Sequence, residues 1–177
     1  MRSSVLPVLL LVLAASLSSG CGYRFTASGG ELPGGARSLY VPTFVNRTAE
    51  PGAEVYFTNA LRQEASRAGL EGGEASDARI VGEVTQVTGF SGIVTLLRPE
   101  GSTVLQPRVT TFRVQAAATV RVYRGDELLA NVAVSGFEDY LNVEGNMLET
   151  EANRRNALRR LSVTLMQQAY ARLASGF

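Results

Sequence analysis

TTFRVQAAATVRVYRGDELLANVAVSGF, residues 110–137, carries the most regular pattern in the chain. Phe112, Val114, Ala116, Ala118, Val120 and Val122 alternate with Arg113, Gln115, Ala117, Thr119 and Arg121. A strict period of two sends successive side chains to opposite faces of a strand. The first set therefore predicts a core face. The second, with Thr111, predicts an outward one. Arg124-Gly125-Asp126-Glu127 follows, with Gly where a tight turn needs a left-handed residue. Its Arg-Gly-Asp also matches an integrin-adhesion tripeptide, and turn chemistry is the simpler account. Leu128 to Phe137 then returns as the partner strand.

Upstream, ARIVGEVTQVTGF (78–90) is rich in Val, Ile and Thr and predicts another strand, with imperfect alternation. Between the two, SGIVTLLRPEGSTVLQPR (91–108) predicts a long hairpin tip with some pairing on either side. Earlier still, Phe57, Leu61, Ala65 and Ala68 are spaced by one helical turn each. Pro51 suits the start and Gly69 the stop, so a helix is expected from about Gly52 to Ala68. SLYVPTFVN (38–46) predicts a first strand around Leu39 to Val45, with Pro42 at an edge or end. Asn46-Arg47-Thr48 matches a glycosylation sequon and carries no weight here.

Downstream, Leu158, Leu161, Leu165, Ala169 and Leu173 form an apolar stripe on a long helix near the C-terminus. Arg155 and Arg159 fall on another face, and Glu151 stands four residues before Arg155, the favourable orientation for a helical ion pair. The order is β-α-β-β-β-α. The expected fold is α+β and two-layered: two amphipathic helices on one face of a small, mostly antiparallel four-stranded sheet.

At the N-terminus, Arg2 precedes the apolar run Val5 to Leu17, which is short for a membrane span and right for a secretory signal. Small residues lead to Cys21, the only cysteine, so no intramolecular disulfide can form. The segment resembles a bacterial lipobox, with Leu17 four places and Ser18 three places before the Cys. Residues 1–20 are then a signal peptide. Residues 21–37 are a lipidated N-terminus and tether, and 38–177 form a single domain. Cys21 would be the lipid-attachment residue, its acyl chains fixing the protein to a membrane. The alternatives are an ordinary signal with an unmodified Cys, or a buried free thiol. Gly22, not Asp, follows the Cys. By resemblance to lipoproteins of two-membrane bacteria, this permits outer-membrane sorting on the periplasmic side.

Basic and acidic residues balance once the signal is removed, which argues against nucleic acid as a partner. The basic residues are all Arg. The chain has no His, so the usual general base and the commonest metal ligand are missing. Ser–His and Cys–His catalysis and zinc sites fall with them, and no metal or catalytic residue is assigned. The only non-protein group expected is the covalent lipid on Cys21.

CGYRF at the mature start, followed by SLYVPTFVNRTAEPGAEVYFTNALRQE, resembles the LptE family of lipopolysaccharide-assembly lipoproteins. The later strands and final helix follow the family's order, so the resemblance covers nearly all of residues 21–177. It implies a non-enzymatic subunit that plugs the outer-membrane β-barrel LptD, helps it fold, and assists placement of lipopolysaccharide in the outer leaflet. The protein would sit at the outer membrane, in the barrel lumen and on the periplasmic side.

A plug needs a surface matching a polar barrel interior. Arg113, Gln115, Thr119 and Arg121 are the barrel-facing candidates, although any half-exposed sheet presents such a face. Lipopolysaccharide carries phosphates, so Arg at an exposed tip is the natural contact. By order along the chain, Arg98 in LLRPEGS matches a basic loop position of the family. Arg108 lies near it. The family's later basic position has no counterpart in LNVEGNMLET (141–150). A solvated loop arginine is the plain alternative for Arg98. Two other functions stay open: an adaptor or pilot lipoprotein of another envelope machine such as a secretin, and, with little to frame it, a carboxylate-dependent envelope enzyme.

Overall fold

The computed structural model describes residues 32–175. The signal, Cys21 and the first part of the tether lie outside them, as does Gly176. Of the lipidated N-terminus and tether expected over 21–37, only residues 32–37 are described. Leu32 and Ala36 are buried, and a 3-10 turn at Pro33–Gly35 leads into the sheet.

Eight strands follow: β1 (Leu39–Tyr40), β2 (Val45–Asn46), β3 (Glu71–Gly72), β4 (Ala78–Ser91), β5 (Val94–Leu97), β6 (Gln106–Val109), β7 (Thr111–Arg124) and β8 (Glu127–Leu141). Helix α1 (Ala53–Arg67) falls between β2 and β3, and α2 (Met147–Ser175) closes the chain. The main sheet has six strands, not the four expected. Its order is β3-β1-β4-β7-β8, with β2 also on β4. Two causes account for the difference. Pro42 supplies no N–H and interrupts the first strand, so its halves pair separately with β4, both in parallel. The residues after α1 also form a strand, Glu71–Gly72, parallel to β1. The three long strands β4, β7 and β8 are antiparallel, as expected.

The alternation of β7 is realised as read. Val114, Ala116, Ala118, Val120 and Val122 are buried while Arg113, Gln115, Thr119 and Arg121 stay half-exposed. The irregularity of β4 is a bulge. The register to β7 shifts between Val84 and Gln86, leaving Thr85 as the extra residue. Ile80, Gly82 and Val84 face the core before it and Val87 turns inward after it. Gly125 has φ 57° and no other turn residue has positive φ, the pattern of a type II′ hairpin.

Both helices lie on the core side. In α1 the buried residues are Ala53, Phe57, Thr58, Ala60, Leu61 and Ala65; Ala68, expected in the stripe, lies just past the helix end. In α2 the whole expected stripe is buried, with Ala157, Ser162 and Met166 beside it. Asn146 caps α2: its Oδ1 accepts from Glu149 N–H at 3.1 Å, and Glu149 returns a carboxylate to its amide at 3.0 Å.

Candidate functional site

With both helices on one side, the other face of β4, β7 and β8 is bare among the described residues, and its chemistry changes along its length. Near the β7–β8 turn it is charged. Glu83 on β4 accepts from Arg47 Nε at 3.0 Å and lies 3.7 Å from Arg121 Nη2. In the middle stand Gln115, Ala117 and Thr119. Farther along, Arg113 and Asp139 face each other across the β7–β8 ladder. Arg113 Nε and Nη2 donate to the two carboxylate oxygens at 2.6 and 2.9 Å, a bidentate fit. The hydrogen bond holds Asp139 below and Arg113 above their ordinary pKa values. The same guanidinium stacks 3.8 Å above the Phe137 ring. Apolar side chains surround this pair: Phe137 is exposed opposite Gln115, Phe90 opposite Arg113, and Leu141 beyond it opposite Thr111.

The hairpin tip is a separate two-stranded ribbon, β5 paired with β6. Thr95 and Thr110 hydroxyls meet at 3.2 Å at its base. Ile93, Val94, Leu96, Leu97, Val104 and Leu105 are all exposed on it. Arg98 opens its end loop, where Ser102 N–H closes a turn on the Pro99 carbonyl at 3.0 Å. Arg98 makes no ion pair or hydrogen bond among the described residues. Arg108 is engaged, in an ion pair with Glu144 from the loop before α2. Beside that loop Met147 and Leu148 are the most exposed apolar residues described, at 86% and 84%.

The four barrel-facing candidates thus share one bare face, while Arg98 and Arg108 belong to the ribbon. Pairing was not visible in the pattern. Arg113 and Arg121 read as free outward cations, and cross-strand register is what supplies their partners Asp139 and Glu83. The most buried ion cluster was missed altogether. Arg154 Nη1 and Nη2 donate to Glu50 at 2.8 and 2.9 Å, and its Nε to Glu151 at 2.8 Å. Arg155, the expected partner of Glu151, is 4.0 Å away. Glu50 sits in the loop before α1, where the Asn46 amide donates to its carbonyl at 2.7 Å and to Glu54 at 2.8 Å. Thr48 N–H donates to Asn46 Oδ1 at 2.9 Å, so the Asn-x-Thr stretch is an Asx turn. Among the described residues no group of three His, Cys, Asp or Glu could hold a metal ion, and no helix is long and apolar enough to cross a membrane.

Solved structures share this architecture. A lipoprotein from Caulobacter crescentus aligns over 75% of this chain and 88% of its own, at TM-score 0.50 and 9% identity. A protein from Xanthomonas campestris aligns over 78% and 84%, at TM-score 0.52 and 8% identity. The rare lipoprotein B from Shewanella oneidensis aligns over 78% and 95%, at TM-score 0.47 and 11% identity. For the Caulobacter and Xanthomonas proteins, at such identities, the likeness is one of fold alone. No curated protein matches the chain. Residues 36–173 match the model of the LptE family, described as lipopolysaccharide-assembly, and the chain belongs to that family.

Proposed function

We propose that this protein is the lipid-anchored plug of an LptD-type β-barrel, helping that barrel assemble and deliver lipopolysaccharide to the outer leaflet. Cys21 carries the acyl chains and holds the protein at the outer membrane from the periplasmic side, with the folded domain in the barrel lumen. The observation that carries this reading, beyond family membership, is the bare face of β4, β7 and β8. It is long, half-exposed and polar through Gln115, Thr119, Arg113 and Arg121. A barrel lumen is lined with polar side chains, so such a face can be desolvated without stranding apolar surface in water. The paired charges suit the same seat, because Arg113 and Arg121 bring their carboxylates with them.

The ribbon supports the second half of the reading. Apolar side chains flank Arg98, which faces solvent without a carboxylate, so acyl and phosphate groups of one amphiphile could be met together. Arg108 reaches the same ligand only by leaving Glu144. Mild-detergent purification of the tagged native protein tests the assignment: the LptD barrel is expected with the bait. Recovery of a secretin instead, with no LptD, makes the chain a pilot lipoprotein of another pore. Mass spectrometry of the same preparation should find the acyl chains on Cys21.

A further inference from the structure

Helices α1 and α2 run side by side and in the same direction. Arg154 reaches Glu50 ahead of α1, and Gln167 Nε2 donates to Glu64 Oε1 at 3.5 Å near its end. Their large apolar residues, Phe57 and Leu61 on one and Leu158, Leu161 and Leu165 on the other, are buried in the core. Between the helices a groove of about 510 Å³ remains, within the size range of small-molecule sites. It exists because its floor is made of small residues, Ala60 and Ser162, both buried. Tyr56 and Val163 form half-buried walls, and Val55 is exposed at the rim. The Ser162 hydroxyl is already engaged, donating to the Arg159 carbonyl at 2.8 Å. The floor therefore offers no free hydrogen-bonding side chain.

A single charged residue lines the groove. The Arg159 guanidinium lies 5.5 Å from the centre of the Tyr56 ring, close enough for a cation–π contact. Among the described residues no carboxylate lines the groove to meet it. The acids nearby are engaged elsewhere: Glu50 and Glu151 hold Arg154, Glu64 holds Arg67, and Glu138 holds Arg160. Along the α1 rim Asn59 and Gln63 stand one turn apart, both exposed. The result is an apolar trough with a cation at one end and amide donors along one rim. A peptide laid in the trough would strand backbone N–H groups over the floor. An acyl chain asks for no hydrogen bonds there. A phosphate suits the fork of an unpaired guanidinium, and ester carbonyls accept from amide N–H groups.

We propose that this groove binds a glycerophospholipid, with one acyl chain along the floor and the phosphate on Arg159. Asn59 and Gln63 donate to the glycerol esters. The site lies on the helical side, apart from the bare sheet and the ribbon, and stands whether or not the barrel reading does.

Native mass spectrometry of the full mature chain tests it, with detergent micelles holding dioleoylphosphatidylglycerol and dioleoylglycerol in equal amounts. The parent should retain the phospholipid about tenfold more than the diacylglycerol, the worth of a charge-assisted hydrogen bond to phosphate. Arg159→Gln should erase that preference without changing retention of the diacylglycerol. Val163→Glu sets a carboxylate on the wall and should lose both lipids. If its thermal midpoint shows that it does not fold, Val55→Glu at the exposed rim makes the same test. Arg155→Gln, one turn before Arg159 and outside the groove, should bind as the parent does. No phospholipid on the parent, equal retention of the two lipids, or full retention by Arg159→Gln or by the folded carboxylate variant overturns the proposal. So does equal loss with Arg155→Gln, which would make the binding a matter of general surface charge. Preference for lipopolysaccharide added to the same micelles overturns it too, by making the groove part of that ligand's contact.

Discussion

Gly82 shows how one missing atom places an element. A Cβ built there would lie 2.2–2.4 Å from three carbons of the Phe44 ring. Phe44 is buried against β4, and its N–H donates to Thr58 Oγ1 at 2.9 Å, tying the segment between β1 and β2 to α1. The ring is buried in the core, so it has little room to turn aside. Gly82→Ala should therefore destabilise the fold by about 1–3 kcal/mol, the usual cost of overpacking, with a lower urea midpoint at unchanged slope. Arg154 makes the complementary case with charge. It joins Glu50 to Glu151 and so fastens α2 to the loop before α1. Because the cluster is only partly sheltered, Arg154→Ala should cost about 1–2 kcal/mol. Its pH signature is specific. The Arg154 hydrogen bond holds the Glu151 carboxyl below its ordinary value of 4.5. A lowered folded value stabilises in full above the ordinary one and is lost as pH falls through the folded one. Urea midpoints taken from neutral pH down to about pH 3 should fall more steeply for the parent than for Arg154→Ala. Parallel curves would mean Glu151 gains nothing from the pair.

At the scale of elements, periodicity was informative wherever one face is buried and the other is not. The β7 alternation and the α2 stripe were both readable because core contact selects the apolar set. Breaks in period were visible too, but not their cause. The disordered alternation of residues 78–90 is the bulge at Thr85, which a pattern shows only as noise. Strands of two residues have no period, so β3 and the splitting of β1 from β2 were beyond reach, and the sheet was undercounted. The same logic explains why the site was only half legible. Outward positions follow from period, whereas the Asp139 and Glu83 partners depend on register between strands. The ribbon contributes no buried residue, every one of residues 91–109 being exposed or intermediate. Replacing residues 94–109 by a short Gly-Ser loop should therefore leave the thermal midpoint nearly unchanged, within roughly 1 kcal/mol of stability. If the ribbon meets lipopolysaccharide, that deletion should abolish binding, and Arg98→Glu should weaken it while LptD still co-purifies. Full binding by Arg98→Glu would remove that residue from the contact.

For the whole molecule, the decisive asymmetry is that two layers leave a third side open. Helices cover one face of the sheet, and the other face carries charge at one end, small polar residues in the middle and apolar side chains at the ribbon end. In a free monomer this face has no need of its middle: Thr119 lies between Glu83 and Ala133 on the neighbouring strands and makes no hydrogen bond through its side chain among the described residues. Thr119→Trp should thus leave stability within about 0.5 kcal/mol, as surface changes do. Inside a barrel the same indole would stand between the sheet and the wall. The variant should recover much less LptD than the parent when expressed at equal level. Arg155→Trp, on the exposed flank of α2, offers a control of equal bulk on the helical side. Loss at Thr119 with retention at Arg155 identifies the bare sheet as the seat. Undiminished LptD with Thr119→Trp would leave that face facing water, and the contact with the barrel would have to come from the helices.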